Sequence, residues 1–419
     1  MAFIEEVTIK GLWGIKDIHV NLYDDINIFI GDNGSSKTTF LRIIESLLNV
    51  DIYNIQDVEF EEVNISVKSE APHSITVIRM KEDVVSDNYR YIIDGETIDM
   101  SMYDSRNDLR SRRLSRPIYY YIRDKIVGIV NVSWLSINRL DENTYRDYAD
   151  SSKSFVDQKL DLLLQQIVSY RLRLETEVNK RTKKFNEDLV SLLLYNEKFD
   201  TLSYGDDDYR LFQNDEVLIT KLHQIFSYFG DAQNHTLVIT QHVEKIKDIV
   251  NKIKSNSALR VSDLPSLSLL KRTNAILKVA NDYQKDRDNI LEPIKKYTEI
   301  VGLYFKDKKI QFNAITGEIT PALELSKGKI VNLSINSLSS GEKQLLILLT
   351  ETLLQQNQSY VFIADEPELS LHIEWQRNLI SSIRNLNPNV QILFATHAPE
   401  IVANYPKRII NMSSISTLR

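Results

Sequence analysis

Gly31-Asp32-Asn33-Gly34-Ser35-Ser36-Lys37-Thr38-Thr39 is the segment of this chain best suited to hold a polyphosphate. An apolar run, Ile26–Ile30, leads into it and a helical pattern leaves it. That is the setting in which successive backbone N–H groups and a helix N-terminus make an anion nest. In such a loop Gly31, Asn33, Gly34, Ser35, Ser36 and Thr39 lie along the phosphates. Lys37 reaches the β- and γ-phosphates, and the Thr38 hydroxyl ligates Mg²⁺. Glycine ordinarily precedes the lysine; Ser36 stands there instead, at a cost in backbone freedom. Taken alone, the segment also reads as an ordinary glycine turn.

A second segment weighs against that plainer account. Val361-Phe362-Ile363-Ala364 is an apolar strand that ends on Asp365-Glu366-Pro367-Glu368. Two acids at the end of a buried strand are costly unless something uses them. Beside a phosphate loop, Asp365 holds the Mg²⁺ shell and Glu366 polarises the attacking water. Leu338-Ser339-Ser340-Gly341-Glu342-Lys343-Gln344 opens an apolar helix, where unpaired N–H groups suit a phosphate. Serine is also a favoured N-cap, so simple capping explains this segment as well. His397, in Ala395-Thr396-His397-Ala398-Pro399, follows the next strand and is placed to sense a γ-phosphate. A lone histidine is more often structural.

Taken in order, GDNGSSKTT, LSSGEKQ, ADEPELSLH and ATHAPE resemble the Walker A, signature, Walker B with D-loop, and switch-histidine motifs of ABC ATPases. More narrowly they resemble the RecF/SMC/OLD-like branch, and DEPELSLHIEWQ is similar to its standalone members. Some of those are ATPase subunits of anti-phage systems such as Septu or PARIS. The resemblance covers roughly 1–140 and 300–410. It implies an α/β, ABC-type P-loop head with a mainly parallel sheet, a strand-rich flank and a helical insertion. It also implies ATP and Mg²⁺ as cofactors and a head-to-tail homodimer or higher oligomer. Ser339, Ser340 and Gly341 would meet the γ-phosphate bound by the partner's loop, and Ser370, in the D-loop, would lie near the dimer seam. Glu366, His397 and Lys37 are then the catalytic set, with Thr38 and Asp365 at the metal. The family's Q-loop glutamine has no counterpart at Asn138 or Arg139, where it is expected.

The elements that must position these groups follow from hydrophobic periodicity. Phe3–Ile9, Ile18–Leu22 and Ile26–Ile30 pattern as strands, and Lys37–Leu48 as a helix. Short strand-like runs follow at Val63–Val67, Ile75–Ile78 and Ile126–Val132. From Phe155 to Leu194 apolar residues recur at helical spacing, enough for a helix of roughly 60 Å. Further helical stretches lie near Leu237–Ile253 and Ile276–Val301, separated by turns containing Gly205, Gly230 and Pro265. The insertion reads either as a coiled coil, its seam broken at Arg171 and Arg181, or as a packed bundle. Strand patterning returns over Leu303–Leu333, with turns at Asn313–Gly317 and Lys327–Gly328. A helix follows from near Gly341, then the strand Tyr360–Ile363, a helix over Ile373–Leu386 and the strand Gln391–Ala395. The expected division is 1–143 and 301–419 as two halves of one head, with 144–300 inserted.

Composition limits the alternatives. The chain has 419 residues, is 42% hydrophobic and 26% charged, and carries a net charge of −7, which argues against a surface coated for bulk DNA binding. The absence of cysteine excludes a zinc hook and thiolate chemistry and fits a cytoplasmic protein. No signal peptide or membrane span is read. Two basic stretches, Arg106/Arg110/Arg112/Arg113/Arg116 and Lys180/Arg181/Lys183/Lys184, are candidate contact surfaces or simply solvated faces. The functional expectation is a nucleotide-driven dimeric switch that recruits a separate effector, a nuclease or toxin, in anti-phage defence. The alternative is a RecF- or Rad50-like ATPase that clamps DNA in repair or recombination. Too little chain follows His397 for a TOPRIM nuclease, and a transporter motor does not fit the long insertion.

Overall fold

The computed structural model describes residues 2–83, 86–101, 109–136, 154–197, 199, 215–228, 235–255, 260–305, 308–313, 317–325 and 329–419. Arg106, Asn138, Arg139, Gly205, Gly230, the expected boundary at 143/144 and the turn at Lys327–Gly328 lie outside them. Of Arg110, Arg112, Arg113 and Arg116 only the backbone is described, and it is helical.

The chain opens with β1 (Phe3–Leu12), β2 (Lys16–Asn21) and β3 (Ile26–Ile30), then α1 (Lys37–Leu48). Four strands follow, β4 (Glu62–Lys68), β5 (Pro72–Asp83), β6 (Ser86–Ile93) and β7 (Glu96–Ser101), then α2 (Leu109–Ile129) and β8 (Val132–Ser136). The long helices are α3 (Phe155–Ser191), α4 (Asp215–Ser227), α5 (Thr236–Lys254) and α6 (Leu264–Tyr304). The remainder is β9 (Lys308–Phe312), β10 (Ile319–Leu325), β11 (Lys329–Asn332), α7 (Ser340–Leu354), β12 (Tyr360–Asp365), α8 (Ile373–Leu386), β13 (Val390–Ala395), α9 (Pro399–Ala403), β14 (Ile409–Asn411) and β15 (Ser416–Leu418).

Two compact units divide the chain: Met1–Tyr170 with Pro293–Arg419, and Arg171–Glu292. The first is an α/β head. Its five-stranded sheet has the order β14-β3-β13-β12-β8, and every neighbouring pair is parallel. These strands are near-continuous apolar runs because both faces are covered. A seven-stranded antiparallel sheet, β15-β2-β1-β4-β5-β6-β7, forms the strand-rich flank, and β11-β10-β9 makes a small third sheet. In the second unit Phe185, Leu222, Ile246 and Leu270, from α3, α4, α5 and α6, share one core. Phe185 stacks on Tyr283 with ring centroids 4.7 Å apart. That is the packing of a bundle.

Three expectations fail. Pro265, expected in a turn, is the second residue of α6, where its missing N–H costs nothing. Ile126–Val132 is not one strand: α2 runs to Ile129 and β8 begins at Val132. Ile122 and Ile126, one helical step apart, are fully buried, so core packing outweighs the strand preference of β-branched residues. Leu303 is still helical, and the strands resume at Lys308.

Gln391 ties the two large sheets together. Its Oε1 accepts from the Ile4 N–H at 2.8 Å, and its Nε2 donates to the Ile4 and Tyr23 carbonyls, each at 2.8 Å. These are backbone groups that β2, paired with β1 only from Glu6 onward, leaves open. Gln391→Leu keeps the volume but orphans the Ile4 N–H and carbonyl, while the Tyr23 carbonyl keeps the Asn27 amide. It should destabilise the protein by about 2–4 kcal/mol in denaturant titration; a loss under about 0.5 kcal/mol would show that the glutamine is not the brace.

Candidate functional site

Strand register gathers the chemistry at one edge. Asp365, the last residue of β12, stands opposite Ala395 of β13, and Ala395 stands opposite Phe29 of β3. The chain therefore leaves three adjacent parallel strands side by side, carrying the phosphate loop, the acid pair and the histidine. That crevice at the carboxyl ends of strands is where α/β sheets bind ligands. Thr396 N–H donates to the Phe29 carbonyl at 3.2 Å and Glu366 N–H to the Ala395 carbonyl at 2.8 Å, which extends the connection past the strand ends.

Within the loop, Gly31 and Gly34 have φ of +153° and +82°, and a Cβ on Gly31 would lie 2.8 Å from Ser35 Oγ. Lys37 is buried and bends back on the loop. Its Nζ donates to the Gly31 carbonyl at 2.8 Å, to the Asp32 carbonyl at 3.3 Å and to Ser35 Oγ at 3.5 Å. Burial lowers its pKa, while the carboxylates of Asp365, Glu366 and Asp32 act in the opposite sense. The start of α1 carries no side-chain cap and no acid in its first turn, so its N–H groups and positive dipole end are free for an anion. Asn33 is exposed, and Thr39 lies in the first turn of α1.

Ser36, the residue in the glycine's place, adopts the left-handed conformation, with φ 71° and ψ 21°. That costs a non-glycine residue roughly 1–2 kcal/mol. Its Oγ accepts from Lys16 Nζ at 2.8 Å.

Thr38 Oγ1 donates to Asp365 Oδ1 at 3.1 Å. A hydroxyl and a carboxylate at this separation are the hard oxygen donors that Mg²⁺ takes alongside waters and substrate phosphates. No group of three or more His, Cys, Asp or Glu side chains able to cage a metal occurs among the described residues. Glu366 is half-buried and has φ +49°.

Glu368 was not among the residues singled out by sequence, yet it joins two of the segments. It is buried, its Oε1 accepting from Thr396 Oγ1 at 2.5 Å and from the His397 N–H at 3.2 Å. Its Oε2 is buried with no hydrogen-bond partner. The third acidic position of the DEPE run was its only signal. Lys16 had none, since it lies in another strand with no motif. His397 itself is exposed at the edge.

Ser339, Ser340 and Gly341 begin α7, apart from the loop in sequence but packed against the segment that follows the acids. A Cβ on Gly341 would fall 2.3 Å from the Ser370 carbonyl oxygen, which makes glycine obligatory there. Gln344 Nε2 donates to the Pro367 carbonyl at 2.8 Å. Ser339 caps its own helix in a full capping box with Glu342. Lys308 grips that carboxylate at 2.8 and 2.9 Å. Burial opposes ionisation of Glu342, but Lys308 and the Ser339 N–H outweigh it and hold the carboxyl below its usual range. Its hydroxyl is engaged on both sides, the oxygen accepting from the Glu342 N–H and the proton turned to the Glu342 carboxylate. Ser370 is exposed with φ +65°.

Comparison with known proteins supplies a context for this geometry. Residues 26–403 match the family model described as "AAA domain, putative AbiEii toxin, Type IV TA system". The chain is 24% identical over 406 residues to "Retron Vc95 probable ATPase" of Vibrio cholerae serotype O1 biovar El Tor, covering 90% of this chain and 66% of that protein. It is 34% identical over 82 residues to "Retron Ec83 probable ATPase" of Escherichia coli, covering 17% of this chain and 15% of the relative. It thus spans less than two thirds of the length of either relative. Among solved structures, an Smc head domain with an extended coiled coil bound to the C-terminal domain of ScpA, from Pyrococcus furiosus, aligns over 100% of this chain and 96% of that one. Its TM-score is 0.46 at 13% identity. An Smc head with a coiled coil and joint from Pyrococcus yayanosii gives 0.39 at 14%, over 100% and 97% of the two chains.

Burial raises the pKa of Glu368, so the folded protein keeps a proton that the unfolded chain releases. The stabilisation this brings is complete below the unfolded carboxyl range and is lost as pH rises through the folded value. Glu368→Gln retains an acceptor for Thr396 and His397 but cannot ionise. Its melting temperature should exceed the parent's by about 2 °C or more at pH 8, with the gap closing toward pH 5. A gap that does not change with pH would mean that Glu368 is ionised in the fold.

Proposed function

This chain belongs to the AAA-domain family whose model spans its residues 26–403, and on that premise we propose that it is a Mg-ATP-dependent ATPase of ABC type, acting as a pair of heads. The observation that carries the reading is the convergence of Lys37, the Thr38–Asp365 pair, Glu366 and the His397 segment at one edge of a parallel sheet. The names of the two relatives, both retron probable ATPases, agree with it.

In this reading the backbone N–H groups of Gly31–Thr39 and the uncapped start of α1 bind the β- and γ-phosphates. Lys37 exchanges its contacts with the loop carbonyls for phosphate oxygens. Thr38 and Asp365 hold Mg²⁺, which neutralises phosphate charge when bound. Glu366 accepts a proton from a water as the water oxygen bonds to the γ-phosphorus. The bond to the β–γ bridging oxygen breaks, yielding ADP and inorganic phosphate. His397 donates to the γ-phosphate and reports its loss, and Glu368 positions it through its backbone N–H. Ser339, Ser340 and Gly341 of a second head complete the site, with Ser370 at the seam.

The wider role we assign is a switch that controls a separate effector, a nuclease or toxin, in anti-phage defence of the Septu or PARIS kind. It is supported by the retron names of the relatives and by the toxin named in the family's description. None of the described helices is long and apolar enough to cross a membrane.

Lys37→Ala should abolish tight ATP binding in isothermal titration. Glu366→Gln should bind ATP at near-parental affinity but turn it over at least about 100-fold more slowly; turnover near the parental rate would remove Glu366 from the base role.

Pairing is tested by mixing subunits. Lys37→Ala and Ser339→Arg homodimers should each be inactive, while confirmed heterodimers keep one intact composite site and measurable phosphate release. Inactive heterodimers would count against action in trans.

A further inference from the structure

We propose that Lys16 is a second phosphate-binding cation of the nucleotide site, held on the Ser36 hydroxyl in the free protein and transferred to the nucleotide's phosphates when it binds. The inference deepens the ATP-binding reading and rests on it.

Ser36 replaces the usual glycine and takes a left-handed backbone that glycine would adopt without penalty. A serine placed at a helix start would normally turn its hydroxyl to a backbone N–H two or three residues on. Ser36 makes no such bond. Its oxygen instead accepts from Lys16 Nζ at 2.8 Å, across twenty residues of chain.

Lys16 is equally unusual. It opens β2 opposite Leu12 of β1 and Leu418 of β15, so its backbone is fixed from both sides and its ammonium is presented to the loop. It is half-buried, and among the described residues no carboxylate forms an ion pair with it. Neighbouring cations do find acids: Lys10 pairs with Glu62 and Arg419 with Asp17 and Glu61. Burial lowers the pKa of Lys16 with no opposing charge. A partly desolvated ammonium whose sole partner is a neutral hydroxyl has unspent capacity for an anion. Ser36 is the residue directly before Lys37, so the ammonium already stands beside the backbone that receives the phosphates. The serine thus does what glycine cannot: it keeps a second cation at the rim of the nest until a phosphate arrives.

The test uses the full-length protein and MgATP in isothermal titration, with melting curves to confirm folding. Lys16→Met should raise the Kd for ATP by about tenfold, the order of one charge-assisted contact. Lys16→Arg, which keeps the charge, should stay within about threefold of the parent. If Lys16→Met melts early, Lys16→Gln serves in its place, with the same expected loss. The decisive comparison is made in a Ser36→Ala background. A phosphate ligand still costs about tenfold there when Lys16 is replaced by Met, whereas a lysine that merely braces the serine costs nothing further. Loss of the effect in that background, or an unchanged Kd for Lys16→Met in the parent, overturns the proposal. Lys37→Ala is run beside them. If it too binds ATP normally, the nucleotide site itself is misread; if it loses binding while Lys16→Met does not, only the role of Lys16 falls.

Discussion

The hydrogen-bonded ladder from β12 through β13 to β3 fixes where every reactive group of the head stands. Parallel strands in register end together, so whatever follows each strand is delivered to the same edge. Asp365 opposite Ala395, and Ala395 opposite Phe29, is the whole of that constraint. From it follow the contact between Thr38 and Asp365 and the bridge from Glu368 to the His397 N–H. A slip of one residue in either pair would turn Asp365 away from α1 and break both. Gln391, seated in β13 and bonded to β1, resists that slip by tying the ladder to the flanking sheet.

Two helix starts face opposite electrostatic problems and solve them differently. The start of α1 is left open, with no capping side chain and no acid in its first turn. The start of α7 is closed by Ser339 and Glu342, with Lys308 neutralising the carboxylate. An open helix start is poorly satisfied until an anion arrives, whereas a closed one is satisfied alone. Of the two, the start of α1 is the one with donors still to offer. A role for α7 in a partner's site must draw on what its cap leaves free, the N–H groups beside Gly341.

Much of this was readable beforehand because local signals and tertiary packing agree. The helix Ile373–Leu386, the helix after the phosphate loop and the strand ending at Asp365 lie where periodicity puts them. Ile126–Val132 misled because an apolar β-branched run crosses a helix end and a strand start, and only the buried Ile122 and Ile126 reveal the helical face. Gln391, Glu368 and Lys16 were invisible for another reason. Each acts through a contact with a residue distant along the chain or on another element, and no spacing rule along the chain encodes it. Serine at position 36 was legible as a departure, but not the lysine that meets it.

Three residues of the site carry backbone strain. Ser36, Glu366 and Ser370 are non-glycine residues at φ of 71°, 49° and 65°, a conformation that costs each of them on the order of 1–3 kcal/mol. Such strain persists only where the surroundings over-determine it, and each of the three has a partner that does so. Lys16 holds the Ser36 side chain, the Ala395 carbonyl holds the Glu366 N–H, and Gly341 leaves just enough room for the Ser370 carbonyl. Those partners come from β2, from the end of β13 and from the start of α7, three elements that meet through this edge. Relaxing any one of the three residues would disturb the element that holds it. The three strained positions thus sit where the loop, the acids and the start of α7 are each held by a neighbouring element.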